Sequence, residues 1–246
     1  MTDSRKTALV TGASRGIGHS TAILFFHRDW RIITCSRDDP PPECGRDPRW
    51  TLHIKTDLAD ADSVAHLIEV ANAELDGGPL HALINNAGTS PKTSYKERLG
   101  CLNGDLEAWR EVFEINFFAP LKLARGFAAA LHKGEGAIVN VTSIAGHLIH
   151  PFAGSAYSSS KAALSALTRE MANEFASLGV RVNAVCPGEI ETEMIQPEYE
   201  VLIPRIPLNR MGTPEDVART IFYLCSEDAA YVTGSEIEVT GGQHMF

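Results

Sequence analysis

The sequence is short of the features that would tie it to an extracellular, membrane or nucleic-acid setting. Its 246 residues hold five cysteines, Cys35, Cys44, Cys101, Cys186 and Cys225, an odd and scattered set with no C-x-x-C spacing. That usage argues for reduced thiols rather than a disulfide framework or a cysteine zinc site. Long apolar runs are also missing. The opening MTDSRKTALVTG passes into a hydrophobic stretch of only four residues, with no signal-peptide core and nothing approaching the roughly 18 apolar residues of a membrane span. No stretch of Lys and Arg is long enough to form a basic footprint, and the net charge is −9, so neither nucleic acid nor an anionic membrane is an expected partner. Internal repeats and low-complexity tracts are absent. His19, His27, His53, His66, His81, His132 and His244 show no ligand spacing, so no metal is expected. What remains is the profile of a soluble, cytoplasmic protein whose length and 44% hydrophobic content suit one globular domain.

Short apolar runs rich in β-formers alternate with longer helical patterns along the whole chain. TALV (7–10), RIITCS (31–36), TLHIKT (51–56), HALIN (81–85), AIVNVT (137–142), RVNAVC (181–186) and EIEVT (236–240) read as strands. Their near-continuous hydrophobicity suits parallel strands covered on both faces. Helical patterns lie near 16–28, 60–76, 105–132, 156–178 and 214–226, the last opening on Thr213 as N-cap with Pro214 in the first turn. Such alternation predicts an α/β fold, a Rossmann-like three-layer sandwich around a doubly wound parallel sheet of about seven strands. Two segments break the rhythm. Residues 38–49 carry four prolines and no apolar period, which predicts a loop rather than a crossover helix. Residues 89–104 form a long polar stretch placed to cover one end of the sheet.

Between the first strand and first helix stands TGASRGIG, with Gly12, Gly16 and Gly18 spaced to turn tightly and bring backbone N–H groups against a diphosphate. The spacing departs from the general G-x-G-x-x-G. Where the second strand ends, a carboxylate would bind the adenosine ribose of NAD(H), and a basic residue the 2′-phosphate of NADP(H). Here the chain reads Ser36-Arg37, and the glycine turn adds Arg15. The two guanidiniums favour NADP(H), while Asp38 and Asp39 keep NAD(H) open.

TGASRGIG (11–18), NNAG (85–88), Asn116, Ser143, YSSSK (157–161) and CPGEIET (186–192) follow one another in the order and spacing of the short-chain dehydrogenases/reductases, which the chain resembles over essentially its whole length. Within that family it is similar to the 3-oxoacyl-carrier-protein reductases. The resemblance implies a seven-stranded Rossmann sheet and hydride transfer between a nicotinamide and a carbonyl or secondary alcohol. It implies cofactor contacts from Gly12, Ser14, Arg15, Gly16, Ile17, Gly18, Ser36, Arg37, Asp57, Leu58, Asn85, Ala87, Gly88, Tyr157, Lys161, Pro187, Gly188, Ile190 and Thr192. A homodimer or homotetramer is expected by the same analogy. The proline-rich loop and the lengthened segment after NNAG depart from the family pattern, at the adenine wall and the substrate entrance.

Carbonyl reduction needs a proton delivered to the developing alkoxide and donors aimed at that oxygen. Tyr157 and Lys161, four residues apart on a helix, share a face, and an adjacent ammonium would lower the phenol's pKa. Ser143, just beyond a strand, is placed to donate a second hydrogen bond. By resemblance Lys161 also binds the nicotinamide ribose, and the main-chain carbonyl of Asn116 holds a water on the proton path. Pro120 lacks an N–H, so it leaves that carbonyl without its helical partner. Asn116, Ser143, Tyr157 and Lys161 are thus the candidate catalytic set, and its completeness disfavours a nonenzymatic NADP(H) sensor. Substrate contacts are expected from residues 143–152, where His147 and His150 read as pocket or rim, and from a loop over 189–211. A small carbonyl or alcohol is the expected partner. Carrier-protein docking is weakened by the net charge and by Lys133 standing next to Gly134 and Glu135; polyol, sugar and hydroxy-acid substrates stay open.

Overall fold

A computed structural model describes residues 5–39, 50–93, 97–193 and 197–245. Seven parallel strands form one sheet in the order β3-β2-β1-β4-β5-β6-β7: β1 (Thr7–Thr11), β2 (Arg31–Ser36), β3 (Trp50–Lys55), β4 (Ala82–Asn85), β5 (Ala137–Val141), β6 (Arg181–Pro187) and β7 (Glu236–Val239). The order reverses at β1, which pairs with β2 on one side and β4 on the other. At that switch point the connections leave in opposite directions and open a crevice at the carboxyl ends of the strands.

Strand periodicity explains why both faces are covered. Leu9, Ile33, Leu83, Ile138 and Val182 point into one apolar layer with α2 (Ala61–Leu75) and α6 (Ser155–Phe175). Their neighbours Ala8, Val10, Ile32, Ile84, Val139 and Val185 point into the other, with α1 (Gly16–His27) and α7 (Pro214–Cys225). A period of two distributes a continuous apolar run between two layers. At the centre of the second layer Phe25 is fully buried, edge-on to Trp30 at 4.9 Å and to Phe222 at 5.0 Å.

Helix starts follow from local chemistry. Asp60 caps α2 by accepting from Asp62 N–H, and Thr213 and Asp216 form a reciprocal capping box on α7 with Pro214 in its first turn. α1 differs: its N-cap is Arg15, with no side-chain cap and no acid in the first turn.

The continuous helix expected over 105–132 is in fact broken. It runs as α3 (Leu106–Phe113), a π-helical turn (Glu114–Phe118), α4 (Ala119–Gly126) and α5 (Ala128–Lys133). In the widened turn Ala119 N–H donates to Glu114 O, five residues back. Pro120 has no N–H to give the carbonyl of residue 116, so the α-helical ladder cannot run through this point, and the ring expands. The expected loop over 38–49 falls mostly outside the described residues. The 89–104 segment, described except for 94–96, lies against the chain that leads from β5 into α6: Lys92 donates to Phe152 O (3.2 Å), Arg98 to His150 O (3.3 Å), and Leu99 O accepts from Ser155 N–H (2.7 Å).

Removing the Phe25 ring tests this layer. Phe25→Ala should cost about 3–5 kcal/mol of stability, read as a lowered urea midpoint; a cost below about 1 kcal/mol would show that the layer refills the space.

Candidate active site

At the switch point a cleft of about 490 Å³ runs from the end of β2 to the start of α6. Its floor is the glycine turn. Gly12 and Gly16 adopt φ of +66° and +56°, and a Cβ on Gly12 would stand 2.9 Å from Ala87 Cα. A Cβ on Gly18 would fall 2.3 Å from Gly12 O, so α1 can approach the turn this closely only with glycine there. Thr11 Oγ1 accepts from Asn86 and Ala87 N–H (both 3.0 Å), and Asn86 Nδ2 donates to Thr11 O and Gly12 O, binding the turn to the NNAG segment. The uncapped N-terminus of α1 lies along this floor with its first N–H groups available to an anion. The cradle fits a dinucleotide diphosphate.

Gly12, Ser14, Arg15, Gly16, Ile17, Ser36, Arg37, Asp57, Leu58, Ala87, Gly88, Ser143, Tyr157, Lys161, Pro187, Gly188, Ile190 and Thr192 all line this cleft. Three residues of the expected set do not. Gly18 packs beneath the floor. Asn85 is buried behind it, donating to Asn140 Oδ1 (2.8 Å), whose own amide donates to Thr168 Oγ1 (2.9 Å). Asn116 is fully buried: its amide donates to Thr89 O (3.0 Å) and Ser160 Oγ (3.0 Å), and its Oδ1 accepts from Thr89 N–H (2.8 Å). Cleft residues that sequence reasoning missed include Cys35, Thr56, Asn86, Thr89, Thr142 and Glu193. Most sit one or two positions from a motif residue, and strand-end placement is the signal that would have found them.

At the adenosine end the charges are mixed. Arg15 lies 3.7 Å from Asp38 and 3.5 Å from Glu193, all well exposed. Ser36 Oγ donates to Asp38 O (2.6 Å), holding the turn after β2, and Arg37 is exposed beside it.

At the other end α6 delivers Tyr157 and Lys161 on one face. Lys161 Nζ donates to Val141 O at the tip of β5 (2.6 Å) and stands 5.8 Å from the Tyr157 ring centre. Ser143 lines the cleft together with Tyr157, near enough to lower the phenol's pKa. Gly88 leaves room for the ammonium, since a Cβ there would stand 3.3 Å from Nζ. Ser160, the last of the three serines in YSSSK, links the parts: it accepts from Asn116 and donates to Tyr157 O (2.7 Å). Burial sets the protonation. It pushes Tyr157 above the ordinary tyrosine range, against the lowering effect of Ser143, and it pushes Lys161 down to about 8. The lowering of the phenol expected from the ammonium is not what sets its direction here: desolvation raises it, the charges of Cys186 and Glu189 add to that, and Ser143 is the lowering influence.

His150 is not a rim residue. Its Nε2 meets Glu189 Oε1 at 2.7 Å with both side chains buried, and its Nδ1 accepts from Phe152 and Ala153 N–H (3.2 and 3.0 Å). Because Nδ1 is an acceptor, the ring's proton sits on Nε2 and is donated to the carboxylate. Beside it Phe152, Tyr199, Leu202, Ile203 and Met211 pack together, tying the 197–211 part of the expected substrate loop to the 143–152 segment. No sequence spacing marks the His150–Glu189 pair.

Comparisons with known proteins agree with this architecture. A family model described as enoyl-(acyl carrier protein) reductase matches residues 12–244. Protein FixR of Bradyrhizobium diazoefficiens is 50% identical over 98% of this chain and 87% of its own. The cis-4-hydroxycyclohexanecarboxylate dehydrogenase of Sinomonas cyclohexanicum is 36% identical over 97% and 96%. Among solved structures, a short-chain dehydrogenase/reductase oxidoreductase from Brucella ovis, in complex with a partially ordered NAD, superposes with a TM-score of 0.81 at 46% identity, covering 96% of this chain and 99% of that one. No helix among the described residues is long and apolar enough to cross a membrane. With its seven-stranded parallel sheet, its glycine cradle and these relatives, the chain belongs to the short-chain dehydrogenase/reductase family of oxidoreductases.

Proposed function

We propose that this protein, as one Rossmann domain, interconverts a small carbonyl compound and its secondary alcohol with NADP(H), using Tyr157 as general acid and base. The observation that carries the reading is the Ser143–Tyr157–Lys161 arrangement, with Ser143 and Lys161 buried and Tyr157 partly exposed to the cleft, at the end of a cleft whose floor is a glycine cradle. The bound nicotinamide supplies or accepts the hydride. Everything else falls to the chain. In reduction, Tyr157 Oη gives its proton to the substrate oxygen and Ser143 Oγ donates a second hydrogen bond to the same atom, so charge developing there meets two donors already in place. Burial, which keeps the phenol protonated, suits it to this acid role. Lys161 holds a positive charge behind Tyr157 and offers its remaining N–H groups to the cofactor ribose. Asn116 acts as a positioning residue, fixing Ser160 and, through it, the α6 turn that carries Tyr157.

Arg37, exposed at the end of β2, supports an NADP(H) preference, since a guanidinium matches a phosphate dianion in shape and charge. Arg15 contributes less, being shared with Asp38 and Glu193. The apolar wall of Phe152, Tyr199, Leu202 and Met211 supports a medium-sized, partly apolar substrate. Docking of an acidic carrier protein is disfavoured because Lys133 spends its ammonium on Gly77 O (2.8 Å). Assembly as a homodimer or homotetramer fits the exposed Leu106 and Phe118 on the α3–α4 edge.

Three measurements test this reading. Tyr157→Phe should lower kcat in a panel of carbonyls about 10²–10⁴-fold with NADPH affinity held within a few-fold; retained turnover would remove Tyr157 from the chemistry. Wild-type protein should prefer NADPH to NADH in kcat/KM, and Arg37→Ala should cut the NADPH value about ten- to a hundredfold with little effect on NADH; an NADH preference in the wild type would overturn the cofactor assignment. Lys161, with a folded value of about 8 against an ordinary 10.5, binds fewer protons folded than unfolded between those pH values. Its burial penalty, of order 3 kcal/mol, is therefore complete below about pH 8 and is relieved as pH rises toward 10.5. The stability difference between Lys161→Met and wild type, followed by urea denaturation from pH 7 to 10, should shift steadily in favour of the wild type.

A further inference from the structure

Two of the four residues of β7 are glutamates, and strand alternation puts Glu236 and Glu238 on the same face. The parallel register sets Glu238 beside Cys186 of β6. The chain after β5 returns His147 over the same place, its Nε2 3.1 Å from Glu236 Oε2. One donor atom from each of His147, Cys186 and Glu238 lies within 4.8 Å of the others. None of the three lines the cofactor cleft, but the cluster lies just behind it, with Thr142 and Pro187 of the cleft lining as its neighbours.

Its hydrogen bonding is uneven. Glu236 is fully engaged, accepting from Thr142 Oγ1, from Ser165 Oγ (2.8 Å) and facing His147. Glu238 lies beside Cys186 in the β6–β7 register, and its Oε2 is buried with no partner among the described residues. A buried carboxylate oxygen with no donor costs on the order of a few kcal/mol. With another carboxylate and a thiol beside it, the cluster gathers groups that become anionic or donate lone pairs, and the nearby Lys161 ammonium gives its hydrogen bond to Val141 O rather than to any of them.

We propose that His147, Cys186 and Glu238 bind one divalent transition-metal ion, Zn²⁺ by donor chemistry, with Glu236 orienting His147. One imidazole, one thiolate and one carboxylate match Zn²⁺, whose bond lengths of about 2.0–2.3 Å set tetrahedral ligands roughly 3.4–3.8 Å apart. Closing from the present spacing takes about an ångström. The soft sulfur and the nitrogen disfavour Ca²⁺ and Mg²⁺, which take oxygen ligands. On binding, the metal forms a bond to Cys186 Sγ, the thiol proton leaves to solvent, and the fourth position is open to water. The His147 side chain, 40% exposed, lies on the route in. Ligand spacing in the sequence gives no sign of such a site, because the three residues lie far apart in the chain and the fold brings them together.

The test is Co²⁺ titration of the purified full-length chain after chelator treatment, followed by absorbance. The expected result is one equivalent bound, with a thiolate-to-cobalt charge-transfer band that Zn²⁺ abolishes. Cys186→Ser should remove the band, and Glu238→Gln and His147→Ala should each weaken binding at least tenfold while circular dichroism stays unchanged. The last two keep the test open should Cys186→Ser fail to fold. Absence of uptake, a spectrum without a thiolate band, or affinity unchanged in Glu238→Gln and His147→Ala would overturn the site. The readout is metal binding alone, so its outcome is independent of whether Tyr157 performs the proposed chemistry.

Discussion

The cleft depends on an ammonium kept out of water. Lys161 is 3% exposed and has a neutral partner, the Val141 carbonyl, rather than a carboxylate. A carboxylate there would neutralise the lysine and take up donors otherwise free for a ligand. A carbonyl at a strand end orients the lysine while leaving its charge unspent. The surroundings are built around that choice. Gly88 gives the ammonium space, Asn116 is satisfied by Thr89 and Ser160 rather than by the lysine, and the phenol of Tyr157 lies on the same helical face. The cost appears in the low proton affinity of Lys161, and the fold tolerates it because two apolar layers stabilise the sheet independently.

The fold was largely legible because its signals are local. Apolar runs of four to six residues, glycines at a turn and a proline behind a threonine each act within a few positions, and the strands fall within a residue or so of where those signals put them. The α3–α5 break was harder to read. Pro120 was visible as a missing donor, but whether the helix kinks, frays or widens depends on what packs around it, and here Ala119 N–H reaches back to Glu114 O. The cleft residues followed the motifs for a related reason: parallel strands deliver their carboxyl ends to one line, so a residue just past a strand is already at the site.

What the sequence hid is held by contacts between distant segments. Ser160 reads as one of three equivalent serines until α6 sets it against Asn116. His150 reads as a polar residue near a pocket until Glu189, from beyond β6, comes to 2.7 Å. The protonation of Tyr157 belongs to the same class. Helical spacing correctly predicts that Lys161 is near, but the sign of the shift is decided by how deeply both are buried, and burial is a property of the whole packing.

The adenosine end shows the same competition between local and distant charge. Arg15 and Arg37 read alike in the sequence, as two cations flanking one ribose. In the fold they differ, because the loop after β6 brings Glu193 against Arg15 while Asp38 approaches it from β2. A guanidinium between two carboxylates offers less net field to a phosphate than one with no ion pair among the described residues. All of these groups are exposed, and water and salt weaken each pairing. The Ser36–Asp38 bond holds the turn after β2 and so sets the backbone from which Arg37 projects.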